Sequence, residues 1–161
     1  ITHFWGGGSS MKVVVSFFTI LFSLALNAQV GPTDLRVINR QYRANPVDHM
    51  MTTDTSEGLN FGYHSEGPRF LVAVNPSYDQ QALFRCYSGG KHFASLDYTC
   101  EGTKREGVLG YINRQPDFLY RSPLYRCVRY QTGDHLITID IEECYSHNFQ
   151  VEATLGYVHG V

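Results

Sequence analysis

Short apolar runs separated by turn residues follow one another along the chain from residue 35 onward. In its last part they cover residues 124–129, 136–139, 149–152 and 155–158, and the turn sequence Thr132-Gly133-Asp134 separates the first two. Apolar runs of this length, bounded by glycine and polar residues, are typical of strands. The pattern therefore predicts an all-β protein, with four strands in this stretch.

The same pattern occurs three times, with a period of about 43 residues. In each copy an arginine precedes a histidine, an aspartate follows five residues later, and a glutamate comes after it. The recurring residues are Arg40, Arg85 and Arg126; His49, His92 and His135; Asp54, Asp97 and Asp140; and Glu66, Glu106 and Glu152. We place the three repeats at about 35–78, 79–120 and 121–161.

Three copies of a β-rich unit that have to close on themselves favour one architecture. Propellers of similar repeat length usually need four to eight blades, and solenoids with this period are mostly helical. We therefore expect a β-trefoil with three pseudo-symmetric repeats and about twelve strands, contained in a single domain at residues 29–161.

The start of the chain has the pattern of a secretory signal peptide. Lys12 precedes an apolar run at 13–26, and Ala28 offers a small residue for cleavage. We assign residues 11–28 to a signal peptide and 1–10 to untranslated message or a cloning remnant; the alternative is a buried N-terminal helix or strand. The run is shorter than the roughly 20 residues of a spanning helix, so we expect a secreted, extracellular protein without a membrane span.

Charge and motifs exclude several functional classes for residues 29–161. The net charge there is about −3, whereas a nucleic-acid-binding surface is strongly basic. We find no nucleophile with a matching base and acid, no glycine-rich phosphate loop and no metal-ligand spacing. The sequence therefore predicts a protein that is not an enzyme and uses no cofactor, metal or nucleic acid.

The four cysteines follow the repeats. Cys86 and Cys127 hold the same position in the second and third repeats, and Cys100 and Cys144 hold a second near-equivalent position. The first repeat has Gln41 at the first position and no cysteine at the second. Because a secreted chain with an even number of cysteines favours disulfides, we predict the pairs Cys86–Cys100 and Cys127–Cys144. The alternative, a metal site, lacks the usual closely spaced cysteines.

Two sets of recurring polar residues have a structural interpretation. Aspartates at 54, 97 and 140 are placed to cap a helical turn, as in the pairs Asp54…Glu57 and Asp140…Glu143. The recurring arginine and glutamate of each repeat are predicted to form an ion pair that joins two strands. A role in ligand binding is the alternative for the aspartates.

The recurring histidines and the residues before them are the candidate carbohydrate-binding residues: Asp48, His49, Lys91, His92, Asp134 and His135. Each histidine opens a strand after a turn, where loops carry function. One interpretation is that the imidazole closes the turn by a hydrogen bond. In the other, each histidine and its neighbour face a ligand rich in hydroxyl groups, while nearby tyrosine rings pack against the apolar faces of a sugar.

The third repeat resembles a known family of secreted repeats with the approximate pattern L-Y-R…G-D-H-F-Y-T-T…E-G-x-x-G-Y-V. The matching residues are Pro123-Leu124-Tyr125-Arg126, Gly133-Asp134-His135, Thr138 and Gly156-Tyr157-Val158. That family is a domain of unknown function with a β-trefoil-like fold, and the resemblance implies a lectin-like protein. The second repeat departs at Lys91, and the first departs at Val47 and at Phe70-Leu71-Val72.

We therefore expect a secreted lectin that binds glycans on glycoproteins or glycolipids, is multivalent through its repeats and could form a homodimer. Two alternatives stay open. A trefoil-type protease inhibitor would need one long rigid loop, for which residues 114–123 are the candidate. A structural or adhesive extracellular module would fit the abundance of tyrosine.

Overall fold

The computed structural model describes residues 2–3 and 34–161. The predicted signal peptide at 11–28 and nearly all of the residues before it lie outside this described part. None of the helices in the described part is both long and apolar enough to cross a membrane.

Nine strands make up most of the described chain, in three successive groups of three. We call these groups modules I, II and III. Module I contains β1 (Leu35–Ala44), β2 (Val47–Thr52) and β3 (His64–Ala73); module II contains β4 (Gln80–Ser88), β5 (Lys91–Ser95) and β6 (Lys104–Asn113); module III contains β7 (Ser122–Arg129), β8 (Asp134–Thr138) and β9 (Gln150–Gly160). Three short helices lie between the second and third strands of the modules: Leu59–Phe61, Cys100–Gly102 and Ile141–Ser146.

The three modules have the same internal pairing. The first strand of each pairs antiparallel with both the second and the third strand. The third strands then contact one another through the pairs β3–β6, β3–β9 and β6–β9 and so join the modules into one nine-stranded sheet. The prediction of an all-β fold is confirmed, and each module lies within one of the three segments defined from the sequence.

The predicted number of strands was too high, because two predicted strands in the last segment are one. Residues 150–152 and 155–158 belong to the single strand β9, which Phe149 precedes and which changes register twice against β7. At each change β9 carries one extra residue, and the same two shifts occur between β1 and β3 and between β4 and β6. Such bulges bend a strand without ending it. Ala153 and Thr154, which separate the two predicted strands, therefore lie within a continuous strand.

The core is built from equivalent positions of the three modules. Its central cluster includes Ile38, Leu83 and Leu124 from the first strands and Val72, Ile112 and Val158 from the third strands, all fully buried. Each such side chain contributes roughly 1.5–3 kcal/mol through burial.

One core position differs between the modules. Phe70 fills it in module I, whereas Gly110 and Gly156 hold the equivalent places. A Cβ atom on Gly110 would lie 2.2 Å from Cγ2 of Val72, so no side chain fits there.

Candidate functional site

The two disulfides have the predicted pairing. Cys86 is bonded to Cys100 and Cys127 to Cys144, with Cα–Cα distances of 5.6 and 6.2 Å. Each joins the first strand of its module to the short helix after the second strand. Module I holds the equivalent loop with the fully buried Gln41, whose amide donates to the Thr55 carbonyl at 2.7 Å and accepts from the Gly58 N–H at 2.9 Å.

The aspartates predicted to cap helical turns all accept hydrogen bonds from backbone N–H groups. Asp54 accepts from the backbone N–H of Ser56 at 2.8 Å, and Asp140 accepts from that of Glu142 at 3.0 Å. Asp97 accepts two such bonds, from Thr99 and Glu101, both at 2.9 Å. This confirms the capping interpretation for Asp140, the N-cap of the helix Ile141–Ser146. Asp54 and Asp97 bond the backbone of the turns that precede the other two short helices, whose N-cap residues are Gly58 and Thr99.

The predicted arginine–glutamate pair is also present in each module. The Nε atoms of the three arginines lie 2.5–3.0 Å from a carboxylate oxygen in the pairs Arg40–Glu66, Arg85–Glu106 and Arg126–Glu152. In the third pair the distance is 3.0 Å, but the Nε–H of Arg126 is not aligned for a hydrogen bond. Each glutamate is the extra residue at one of the bulges, which turns its side chain towards the arginine on the partner strand.

Each arginine also binds a second glutamate, which belongs to the preceding module. Arg85 of module II holds Glu57 of module I through two hydrogen bonds of 2.7 and 2.6 Å. Arg40 binds Glu143 of module III in the same bidentate manner, and Arg126 binds Glu101 of module II. The three modules are thus linked in a closed ring of ion pairs.

These inter-module pairs perturb the carboxylates. Partial burial raises the pKa of Glu143, but hydrogen bonds from Arg40 and Thr138 outweigh it and lower the pKa to about 2. The hydrogen bond from Arg85 lowers the pKa of Glu57. Sequence reasoning missed these contacts, since it assigned the acidic residues at 57 and 143 to the capping turns.

The histidines and aspartates pair across modules and not with their sequence neighbours. The Asp48 carboxylate accepts from the backbone N–H of His92 at 2.8 Å and lies 2.6 Å from its Nδ1. Asp134 contacts His49 in the same way, at 3.0 and 2.8 Å. Both aspartates are fully buried, and Asp48 also accepts a hydrogen bond from the Tyr63 hydroxyl. The two carboxylates predicted to face a sugar are therefore directed into junctions between modules.

The third junction lacks this contact, because Lys91 stands where the other modules have aspartate. Its ammonium group donates to the carbonyl of Val47, and Nδ1 of His135 is buried without a hydrogen-bond partner. Burial lowers the pKa of His135; the Glu152 carboxylate and the Gly133 carbonyl oppose this only in part. The Gly133 carbonyl makes no hydrogen bond of normal geometry with the ring.

A cleft opens beside each junction, and we name each cleft by its modules. The I–II and III–I clefts have volumes of about 220 and 260 Å³, and the II–III cleft has about 450 Å³. We call Arg40, Arg85 and Arg126, which form the closed ring of ion pairs, the ring arginines. Each cleft is lined by one ring arginine, by the two glutamates that this arginine binds and by the histidine of the following module. The predicted residues His49, His92, Lys91 and His135 thus lie in clefts, divided among three sites.

In each of the two smaller clefts an arginine lies closer to an aromatic ring than in the larger cleft, where Arg126 lies 5.9 Å from the centroid of Phe93. In the I–II cleft the guanidinium of Arg43 lies over the ring of Tyr63, 4.6 Å from its centroid, and in the III–I cleft Arg129 lies 4.3 Å from the centroid of Phe149. The equivalent residues in the II–III cleft are Ser88 and Thr103. A second ring, Tyr87 or Tyr42, lines each of the smaller clefts.

These clefts offer fixed charged groups beside aromatic faces. Arg43 and Arg129 each donate one described hydrogen bond, to the carbonyls of Pro46 and His147, although a guanidinium has five N–H donors. In the described ranges 2–3 and 34–161, no cluster of three or more His, Cys, Asp or Glu side chains is arranged to hold a metal ion. The arrangement is suited to hydrogen bonding with a polar ligand.

Comparison with known proteins gives one match. The model of a family described as a domain of unknown function, DUF5648, matches residues 24–106. No curated protein and no solved structure matches the chain.

Proposed function

The chain belongs to the DUF5648 family, and we propose that it is a secreted, non-enzymatic carbohydrate-binding protein with a β-trefoil fold, which binds glycans in the clefts between its modules. The observation that carries this proposal is the arginine lying on an aromatic ring in each of two equivalent clefts. Each of these guanidinium groups donates one hydrogen bond to a described protein acceptor, and that of Arg43 also lies 3.9 Å from the Asp48 carboxylate, so both arginines offer further N–H donors beside an aromatic face. Sugars present the complementary surface, hydroxyl groups beside C–H patches.

Three identically paired modules joined by their third strands support the trefoil arrangement. So does the ring of arginines, in which each module holds a glutamate of the one before it. The two disulfides agree with an oxidising compartment, and together with the predicted signal peptide they support secretion.

The rigidity of the clefts supports binding of weakly attractive ligands such as sugars. The carboxylates and guanidinium groups that line them are already fixed by ion pairs between modules, so little side-chain freedom is lost on binding. Single sites of this kind bind weakly, in the millimolar to micromolar range at a rough estimate, but several clefts on one chain give avidity on a glycan-covered surface.

The experiment is a glycan array probed with the chain produced through a secretory pathway. We expect binding that free sugars inhibit and that EDTA leaves unchanged. The double variant Arg43→Ala/Arg129→Ala should lose most of it. The matched control is Arg105→Ala, since Arg105 also lies over a tyrosine ring, 3.7 Å from the Tyr98 centroid, but outside the three clefts. Absence of binding to any glycan, or equal loss in both variants, would contradict the proposal.

A second candidate, protease inhibition, is favoured by the loop before module III. Asp117 accepts hydrogen bonds from the backbone of Leu119 and Tyr120 and from the side chain of Asn113, and the neighbouring Phe118 is 86% exposed. A rigid loop that presents an aromatic side chain resembles a substrate offered to a protease of chymotrypsin-like specificity. Inhibition of such a protease that disappears in Phe118→Ala, with glycan binding unchanged, would favour this function over the first.

A further inference from the structure

The II–III cleft differs from the other two in the charge of the residue that stands at the junction beside it. In those two junctions an aspartate bonds both the backbone N–H and Nδ1 of a histidine. Among the described residues, no carboxylate stands at that place in the II–III junction and Nδ1 of His135 has no hydrogen-bond partner of normal geometry; the residue equivalent to aspartate is the cation Lys91. We propose that this cleft binds a carboxylate-bearing sugar of the uronic acid class, whose carboxylate pairs with the ammonium group of Lys91.

The donors for such a carboxylate lie in the cleft. The ammonium group of Lys91 has three N–H donors, and one protein acceptor, the Val47 carbonyl, is described for it. The ring of His135 lies in the same cleft, with Nδ1 enclosed by protein and Nε2 3.3 Å from a carboxylate oxygen of Glu152. Charge-assisted hydrogen bonds of this kind are about twice as strong as neutral ones, so the carboxylate dominates selectivity. The two glutamates of the cleft, Glu101 and Glu152, are paired with Arg126, which leaves Lys91 as the cation for the ligand.

The remainder of the cleft suits a sugar ring. At about 450 Å³ it is the largest of the three, because Ser88 and Thr103 replace the arginine and the aromatic ring that narrow the others. The hydroxyl groups of Ser88, Thr103 and Thr132 line it and can exchange hydrogen bonds with sugar hydroxyls.

Binding is linked to the protonation of His135. The charged groups around its ring are Glu152, Arg126, Asp134, Lys91 and Glu101. Burial lowers the pKa of His135, so the free protein holds the ring neutral at pH 7. A bound carboxylate favours the protonated ring. The affinity for the acidic sugar therefore rises as the pH falls from 7 towards 5.

This inference rests on the proposed glycan binding, and its test separates the two. Full chain is titrated with glucuronate, glucose and acetate while amide shifts are followed by NMR. Glucuronate should shift residues 88–91, 101–103 and 132–135 and bind at least tenfold more tightly than glucose. Equal affinities for glucuronate and glucose would overturn the inference and leave array binding by the smaller clefts intact. If glucuronate binds but the chain binds no glycan on the array, the proposal that the two smaller clefts bind glycans is overturned and the present inference stands.

Two variants separate a loss of glucuronate binding from a loss of folding. Lys91→Asp supplies His135 with an internal carboxylate, so it should abolish glucuronate binding while raising the thermal midpoint. Lys91→Arg keeps the cation and should keep binding within about threefold. Glucuronate binding by Lys91→Asp at wild-type affinity would overturn the inference, as would binding that is independent of pH between 7 and 5.

Discussion

The I–II and II–III junctions use the same ion pairs and differ in what surrounds them. Arg85 and Arg126 each bind one glutamate of their own module and one of the module before. Around these pairs, Asp48 of the first junction corresponds to Lys91 of the second. The comparison teaches that the arginine–glutamate contacts, which line the clefts and join the modules, are the same at both junctions, whereas other residues at the junctions differ. These other residues can therefore change without loss of the ion pairs between modules.

The strongest way to break the comparison is to remove a ring arginine. Arg85→Ala leaves Glu57 without this cation and Glu106 with Lys104 alone, and because Glu57 is 35% exposed we expect a cost of about 3 kcal/mol, the lower end of the range for buried pairs. We expect Arg126→Ala to lower the free energy of unfolding by a similar amount, because both junctions share this contact. Urea unfolding of both variants measures it, with Arg105→Ala as the control. A loss at one junction only would contradict the shared role.

The second largest effect is expected from acid, which should destabilise the fold by protonating the glutamates that join the modules. The pKa of Glu143 is lowered to about 2 in the folded chain from 4.5, so the unfolded chain binds the proton more readily. The stabilisation is complete above pH 4.5 and is lost as the pH falls from there towards 2; for Glu143 it is roughly 3 kcal/mol. Unfolding followed between pH 7 and 2 should show this slope. Glu143→Gln should reduce it, and an unchanged slope would exclude the ion pair as its source.

The smallest effect is expected from a substitution that makes the II–III junction resemble the I–II junction by placing a carboxylate beside His135. The lowered pKa of His135 means that the unfolded chain gains its proton first, so stability falls as the pH drops below about 6.5. Lys91→Asp gives the ring a carboxylate, raises its pKa and removes this fall. We expect a gain on the order of 1–2 kcal/mol near pH 5. Lys91→Met, which removes the cation and adds no carboxylate, should not reproduce the gain.

Contacts within a module could be predicted from the sequence, and contacts between modules could not. The disulfides and the arginine–glutamate pairs follow from equivalence of the repeats, since both partners are present or absent together. Asp48 and His49 are adjacent on a strand, and adjacent side chains on a strand point to opposite faces. They therefore belong to different junctions, although their adjacency in sequence suggested one site.

Some signals in the sequence were present but ambiguous. Gln41 stands at a cysteine position, which pointed to a missing disulfide and gave no indication that its amide holds the same loop. The glutamates at 57, 101 and 143 recur after the capping aspartates, but their distance from each arginine along the chain hides the contact. Only the packing of neighbouring modules reveals these partners.

The single phenylalanine among the equivalent core positions limits how this architecture can be duplicated or redesigned. Three copies of module I would bring three rings to a place where the other modules have no room for even one Cβ atom. Three copies of module III would leave the space of Phe70 empty, a cavity that close-packed interiors do not tolerate without loss. The three modules are thus not interchangeable at this position. A perfectly symmetric version of the fold would need a different residue here to fill its centre without a clash.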